Sequence, residues 1–189
     1  MSFTHVVDKI PAAGLEFTEV LSTEWLGRAL GDAFRPVGVP GEAKLEVARE
    51  GTSVVVDGEL TFTAEFTCSR CAEDVQVTHL LPVRLSFVVG EEPEESEEEA
   101  DDLDTFGMAA DREVIFYQGP EVDLEAPLVE VIIFALPAYP LCAEDCRGVC
   151  VDCGQNRNAL PGGDCRCAEK RVDPRFAKLA SISLPTKPN

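Results

Sequence analysis

The sequence predicts an α+β fold in which an antiparallel β meander is packed by one buried helix and followed by a cysteine-rich segment. Three observations lead to this prediction. Apolar residues alternate between Ala43 and Val89, with turn-forming residues between the runs, as in neighbouring antiparallel strands. The stretch 123–136 instead carries apolar residues at helical spacing. Six of the eight cysteines then fall between Cys142 and Cys167.

Length and composition suit one domain with an appendage. The chain has 189 residues, of which 45% are hydrophobic, enough to build a core. No run approaches the length of a membrane span of about 18 apolar residues. The first ten residues show no basic segment followed by an apolar one, so no secretory signal is visible and we expect a cytoplasmic protein.

Charge is distributed unevenly along the chain. The net charge is −19, with 8 Lys and Arg against 29 Asp and Glu in residues 1–141, but 8 against 6 in residues 142–189. The acidic part argues against a broad electrostatic footprint on nucleic acid. The basic residues of the C-terminal part either contact RNA or offset the charge of metal-bound thiolates, and both interpretations stay open. Seven of these eight residues are Arg147, Arg157, Arg166, Lys170, Arg171, Arg175 and Lys178.

The first forty residues predict a strand, a short helix and a loop. Residues 3–7 alternate as an opening strand, and 15–20 continue in extended form. Ser22 is placed to cap a helix over 23–30, whose apolar side faces the core. Proline and glycine make 34–41 a loop.

The meander follows, divided by two turn signals. Glu50-Gly51 is one and Asp57-Gly58, a strong hairpin dipeptide, is the other. The pair Cys68 and Cys71 then lies at the next turn, before a strand that ends near Val89. A tight turn of this kind points two sulfurs to one side, as in a zinc knuckle.

The remainder of the first part is an acidic loop, a strand and a helix. Residues 90–105 are rich in carboxylates and are expected to form a disordered loop. Residues 113–117 predict a strand. Asp123 is the candidate N-cap of a helix that ends at Leu136 and is apolar nearly all round, so we expect it to be buried against the sheet. The predicted divisions are an α+β domain over 1–141, a cysteine-rich zinc-binding segment over 142–180 and a flexible tail over 181–189.

The cysteines indicate zinc rather than disulfides. In a reducing compartment, closely spaced cysteines hold a metal as thiolates, and four close one structural zinc. All eight are candidate ligands for one or two zinc ions: Cys68, Cys71, Cys142, Cys146, Cys150, Cys153, Cys165 and Cys167. By elimination, Cys150, Cys153, Cys165 and Cys167 form one site, and Cys68, Cys71, Cys142 and Cys146 form the other. One local site made of Cys142, Cys146, Cys150 and Cys153 is the alternative.

Catalysis is not predicted. The two histidines, His5 and His79, fall in strand-like alternation and suit packing better than acid–base chemistry. The sequence has no GxSxG, P-loop, GxGxxG or HExxH pattern. All-cysteine zinc sites are usually closed, without the open position that a catalytic zinc needs. No small-molecule substrate is therefore expected.

The C-terminal motifs resemble those of the YceD family of bacteria and plastids, also named large ribosomal RNA subunit accumulation protein. The stretch VEVIIFALPAYPLCAEDCRGVCVDCGQNRN, the later CRC and the DPRFAKL at 173–179 carry this resemblance, together with CSRC at 68–71. It covers about residues 44–180. The resemblance implies a role in producing or stabilising large-subunit ribosomal RNA and an association with a ribosomal protein of the large subunit, and it implies no catalytic residues.

The sequence is compatible with three functions. The first is a non-catalytic ribosome-biogenesis factor that binds a large-subunit ribosomal protein or a precursor particle, with limited RNA contact through the C-terminal segment. The second is a redox-responsive zinc-thiolate regulator, which would release metal on oxidation. The third is an acidic protein-binding adaptor unrelated to ribosomes.

Overall fold

The computed structural model describes residues 3–11, 13–91, 112–163, 165 and 167. These residues form a mixed α+β structure, which confirms the predicted class. The helices are α1 (Thr23–Ala29) and α2 (Glu125–Ala135). The strands are β1 (Thr4–Val6), β2 (Leu15–Leu21), β3 (Phe34–Pro36), β4 (Gly41–Glu50), β5 (Ser53–Thr67), β6 (Asp74–Val89), β7 (Glu113–Tyr117) and β8 (Glu121–Asp123). Short 3-10 helices lie at Val7–Lys9, Arg157–Ala159 and Pro161–Gly163.

The chain divides into two compact units. The first consists of Met1–Thr67 and Asp74–Pro140, and the second of Cys68–Glu73 and Leu141–Asn189. The predicted acidic loop lies outside the described residues except for positions 90 and 91, and so does the predicted tail over 181–189. The predicted boundaries at 141 and 180 stay predictions.

The first unit is built on a six-stranded sheet. Its strand order is β2-β4-β5-β6-β7, with the short β3 paired to β5. The pairs β4–β5 and β5–β6 are antiparallel, as the meander prediction required, whereas β6 and β7 are parallel. The strands β1 and β8 form a separate two-stranded sheet. Part of the predicted loop over 34–41 is therefore a short strand.

The predicted turn at Asp57-Gly58 is wrong, because β5 runs straight through it. Gly58 faces Leu45 on β4 and Val83 on β6 within an uninterrupted ladder. A Cβ at this position would come within 2.1 Å of the carbonyl oxygen of Lys44. Glycine is therefore needed for close approach between strands and not for a reversal.

The core lies on one face of the sheet, beneath the two helices. Ser22 caps α1 as predicted, its Oγ accepting the N–H of Trp25 at 3.2 Å. The helix α2 packs on α1 and β6, with Leu128 and Ile132 fully buried. The indole N–H of Trp25 donates to the Glu125 carboxylate at 3.2 Å. These contacts bury one side of α2.

The helix α2 differs from its prediction in two ways. It begins at Glu125, because Asp123 belongs to β8 and accepts the N–H of Glu125 from outside the helix at 3.0 Å. It is also only half buried: Ile133 is 54% exposed and Phe134 is 81% exposed. The apolar character of this helix is therefore not explained by the core alone.

Candidate metal centres

Four sulfurs meet in the first cluster, formed by Cys68, Cys71, Cys142 and Cys146, all within the second unit. Their Sγ atoms lie within 4.8 Å of one another. The distance from Cys68 Sγ to Cys146 Sγ is 3.8 Å, and that from Cys71 Sγ to Cys142 Sγ is 3.6 Å. Three of the four are buried, with Leu141 packed against them.

A tight turn presents the first pair of sulfurs. The N–H of Ala72 donates to the Cys68 carbonyl at 2.9 Å, and the N–H of Cys68 donates to the Glu73 carbonyl at the same distance. Ala72 takes a left-handed backbone conformation, with φ 58°. This closes the turn in the way the spacing Cys-x-x-Cys predicted.

The segment around Gly148 is hydrogen-bonded to this turn and so holds Cys142 and Cys146 close to Cys68 and Cys71. The N–H of Val149 donates to the Arg70 carbonyl at 3.0 Å. The Arg70 guanidinium in turn donates to the carbonyls of Glu144 and Cys146, at 3.1 Å each. A Cβ on Gly148, whose φ is 70°, would lie 2.9 Å from the Arg70 carbonyl oxygen. Only glycine fits this position without displacing the turn.

The second cluster contains Cys150, Cys153, Cys165 and Cys167, also within 4.8 Å of one another. A second turn forms it: the N–H of Gly154 donates to the Cys150 carbonyl and the N–H of Cys150 to the Gln155 carbonyl, both at 2.8 Å. Cys150 is buried, but Cys153 is exposed. The second cluster is thus more open to solvent than the first.

The two groups of four are those that elimination gave from the spacing. The alternative local site of Cys142, Cys146, Cys150 and Cys153 is not formed, because these residues are divided between the two clusters. All eight cysteines are free. The Sγ atoms of Cys165 and Cys150 approach to 3.0 Å, which is well beyond a disulfide bond of about 2.05 Å.

The electrostatics of the first cluster favour sharing of charge among the sulfurs. Burial raises the pKa of the Cys68 thiol, but backbone N–H groups, led by those of Cys71 and Cys142, outweigh it and lower the pKa to about 6. The hydrogen bond with Cys146, followed by burial, raises the pKa of Cys142 to about 12. Cys68 therefore takes the thiolate form more readily than Cys142.

The second cluster shows the same alternation. The hydrogen bond from Cys165 lowers the pKa of Cys150 to about 7. The hydrogen bond with Cys153 raises the pKa of Cys167 to about 12. A divalent metal replaces such shared protons when it binds, because the ligand is the thiolate.

The donor sets fit zinc. Tetrahedral zinc with Zn–S distances of about 2.3 Å places its sulfurs about 3.8 Å apart. The 3.6 and 3.8 Å separations in the first cluster match this spacing. Backbone N–H groups also point at sulfur, from Cys142 to Cys68 at 3.3 Å and from Asp152 to Cys150 at 3.4 Å. Such donors stabilise thiolates around a metal.

One supporting residue, Asn158, was not predicted from the sequence. Asn158 accepts the N–H of Arg147 through Oδ1 at 2.8 Å and donates through Nδ2 to Cys146 Sγ at 3.2 Å. Its own N–H donates to Asn156 Oδ1 at 2.9 Å. The pair of asparagines in GQNRN was the available signal, since asparagine favours local side chain–backbone bonds in turns.

The two histidines pack against aromatic rings within the first unit. The ring of His79 stacks on Phe62 with centroids 5.2 Å apart, and that of His5 lies 4.8 Å from Phe17. Burial lowers the pKa of both imidazoles. Both lie in strands, His5 in β1 and His79 in β6, as expected.

Comparisons with known proteins give a family and several relatives. A family model described as large ribosomal RNA subunit accumulation protein YceD matches residues 56–183, which include all eight cysteines. An uncharacterized protein of Mycobacterium tuberculosis is 27% identical over 144 residues, covering 76% of this chain and 61% of that protein. An uncharacterized protein of Mycobacterium leprae is 26% identical over 151 residues, covering 80% and 63%.

A plant relative carries a functional name. It is the chloroplastic large ribosomal RNA subunit accumulation protein YCED homolog 1 of Arabidopsis thaliana, 24% identical over 162 residues, covering 78% of this chain and 50% of that protein. The chain thus spans half to nearly two thirds of the length of these relatives. No solved structure matches. Within the described residues, no helix is both long and apolar enough to cross a membrane.

Proposed function

The chain belongs to the YceD family, and from this membership we propose that it is a non-catalytic factor for the accumulation of large-subunit ribosomal RNA. The match over residues 56–183 carries the proposal, because it spans both cysteine clusters and most of the meander. The factor acts by binding, either to a large-subunit ribosomal protein or to a precursor particle.

Zinc is the proposed cofactor, one ion in each cluster. Its role is structural: four sulfurs close each coordination sphere and leave no position for a substrate. The second unit has a small core of its own, whose buried residues are Cys68, Cys71 and Cys146, three of the proposed ligands. Metal binding therefore stabilises the fold of the second unit, whereas apolar packing stabilises the first unit.

A basic ribosomal protein is the proposed direct partner, in preference to RNA. The described residues of the first unit hold 18 Asp and Glu against 7 Lys and Arg, a net charge of −11. A surface of this charge repels phosphate but attracts a cationic protein, with fast and salt-sensitive association. The acidic sequence 91–104 holds ten carboxylates and no base.

A deletion and a substitution distinguish a ribosomal-protein partner from an RNA partner. Purified protein should bind a basic large-subunit ribosomal protein at low salt and lose it as salt rises. Deleting residues 91–104 should weaken this binding, while Arg157→Glu should leave it nearly unchanged. The opposite pattern, a silent deletion and an arginine change that abolishes RNA-dependent cofractionation with ribosomal particles, would mean that RNA is the partner.

The function itself is tested in cells. Depleting the protein should lower large-subunit ribosomal RNA relative to small-subunit ribosomal RNA, and wild-type protein should restore the ratio. A ratio that does not change on depletion would contradict the proposal.

A second candidate function, redox regulation, is favoured by one observation, the exposure of Cys153 in the second cluster. Hydrogen peroxide would oxidise two thiolates to a disulfide, itself being reduced to two hydroxide ions, and the zinc would be released. Stoichiometric release of one zinc by low peroxide, reversed by thiol and accompanied by a change in ribosomal RNA level, would favour this function. Release only at denaturing peroxide would reject it.

A further inference from the structure

An apolar run lies at the end of α2 and in the segment that follows it. Residues 133–139, called the apolar run from this point, read IFALPAY and contain no charged side chain. Six of the seven are exposed, and Leu136 is half-buried. Phe134 and Tyr139 are each 81% exposed, and Ile133 is 54% exposed. Two aromatic side chains and one aliphatic side chain are thus left largely in water.

The core does not account for this run. The buried side of α2 is already supplied by Leu128 and Ile132, both at 0% exposure. A surface helix ordinarily places polar residues opposite such a stripe, and α2 does so only through Glu130 among its exposed positions. Exposed apolar patches rimmed by polar residues are typical of protein-binding surfaces.

The charge around the run indicates what covers it. From Glu113 to Pro140 the chain has five carboxylates and no Lys or Arg. Glu130, the exposed carboxylate of α2, lies one helical turn before Ile133 and Phe134. Aromatic faces also attract cations, with Arg and Lys as the usual partners. A partner that covers this run therefore needs both apolar and positively charged side chains.

We propose that the apolar run 133–139 docks a cationic amphipathic segment of a partner protein. Its apolar side covers Ile133, Phe134 and Tyr139, and its Lys or Arg side chains face Glu130, since Glu125, the other carboxylate of α2, already pairs with Arg28 at 3.4 Å. A second copy of this chain fits less well, because a symmetric contact joins the same surface of both copies, and residues 113–140 hold five carboxylates and no Lys or Arg. The inference deepens the proposed function by naming the surface that meets a basic partner, and it rests on that function for the partner's identity.

Two synthetic peptides of equal charge separate apolar docking from charge attraction. One is a helical peptide of leucine and lysine with a continuous leucine side, and the other replaces each leucine by serine. Full-length zinc-loaded protein should bind the leucine peptide more tightly, measured by fluorescence anisotropy. The double variant Phe134→Ser, Tyr139→Ser should lose about tenfold or more in affinity for the leucine peptide, as for removal of aromatic hot spots. Its affinity for the serine peptide should not change.

Leu80→Ser provides the matched control. Leu80 lies in β6 of the same unit and is 63% exposed, so the substitution removes an exposed apolar side chain that is not part of the run. It should leave both affinities unchanged, and circular dichroism should show that all variants fold. Equal losses in Leu80→Ser and the double variant, or no loss in either, would overturn the proposal.

Other occupants give different results. A wild-type dimer in sedimentation that the double variant abolishes would overturn the proposal in favour of a second copy. Binding to vesicles of phosphatidylcholine that depends on Phe134 would overturn it in favour of a lipid surface. Failure of the proposed function is distinguishable: peptide docking that needs the run supports the surface even if depletion leaves ribosomal RNA unchanged. Loss of ribosomal RNA on depletion without such docking overturns the surface alone.

Discussion

Gly148→Ala tests how the first cluster is assembled. In the left-handed region, where φ of Gly148 is 70°, a residue with a Cβ costs about 1–2 kcal/mol. The new Cβ would also lie 2.9 Å from the Arg70 carbonyl oxygen, which accepts the N–H of Val149. Relieving this contact lengthens a hydrogen bond worth about 1 kcal/mol. We expect a total cost of about 2–3 kcal/mol to the zinc-bound fold.

Gly154→Ala is the matched control for the free-energy cost of a left-handed backbone conformation. Its φ is 71°, almost that of Gly148, but a Cβ there would meet no atom within 4 Å. It should therefore cost only the conformational part, about 1–2 kcal/mol. The difference between the two variants isolates the contact with Arg70.

Competition with a chromophoric zinc chelator measures both variants. Because metal binding and folding of the site are coupled, 2–3 kcal/mol corresponds to about 30- to 150-fold weaker zinc affinity for one of the two ions in Gly148→Ala. Gly154→Ala should weaken the binding of one zinc ion by only about 5- to 30-fold. Equal effects of the two substitutions would refute the role assigned to the Arg70 contact, and no effect of either would refute the link between these turns and the metal.

Protein purified without added metal or chelator should contain two zinc ions per chain, bound by cysteine alone, and elemental analysis that finds no zinc, with no recoverable thiol–metal binding, would contradict this. Stripping the metal should remove hydrogen-exchange protection from residues 141–163 while the sheet and α2 stay protected by their own core; a protected second unit would refute the expectation. Acidification through pH 6.5 should destabilise the first unit through His79, because burial lowers its pKa and the unfolded chain takes up the proton first. His79→Phe, which keeps a ring against Phe62, should flatten the fall in free energy of unfolding; an unchanged slope would exclude His79 as the cause.

The sequence predicted those features that a local pattern determines. Alternation in the meander, the cap at Ser22 and the grouping of cysteines all depend on residues close in sequence or on a choice among few ligands. The turn prediction at Gly58 is wrong because Asp-Gly signals a turn only when the segments on either side of it pair with each other. In this sheet the two segments are parts of one strand, β5, which pairs with β4 and β6. That arrangement depends on distant segments.

The candidate site shows the same division. The cysteines were identifiable by spacing, but Asn158 was not, because its role is to join Arg147 and Cys146 across a loop. The exposure of Phe134 could not be predicted from the sequence either, since a helix that is apolar nearly all round predicts burial without indicating which side is buried. Pairwise contacts between separate segments, and not composition, decide both.

The two units require different substitutions to reveal function. In the second unit the buried residues are largely the cysteines proposed as ligands, so Cys146→Ser would remove a core side chain and a proposed metal ligand together. Any loss of ribosomal RNA in such a variant would report loss of folding. In the first unit the core is apolar and separate from the exposed run, so Phe134→Ser changes the surface with little effect on packing. If the run is the partner-binding surface, Phe134→Ser should lower large-subunit ribosomal RNA while the zinc content and the free energy of unfolding stay at wild-type values. A variant that lowers all three would show instead that Phe134 stabilises the fold.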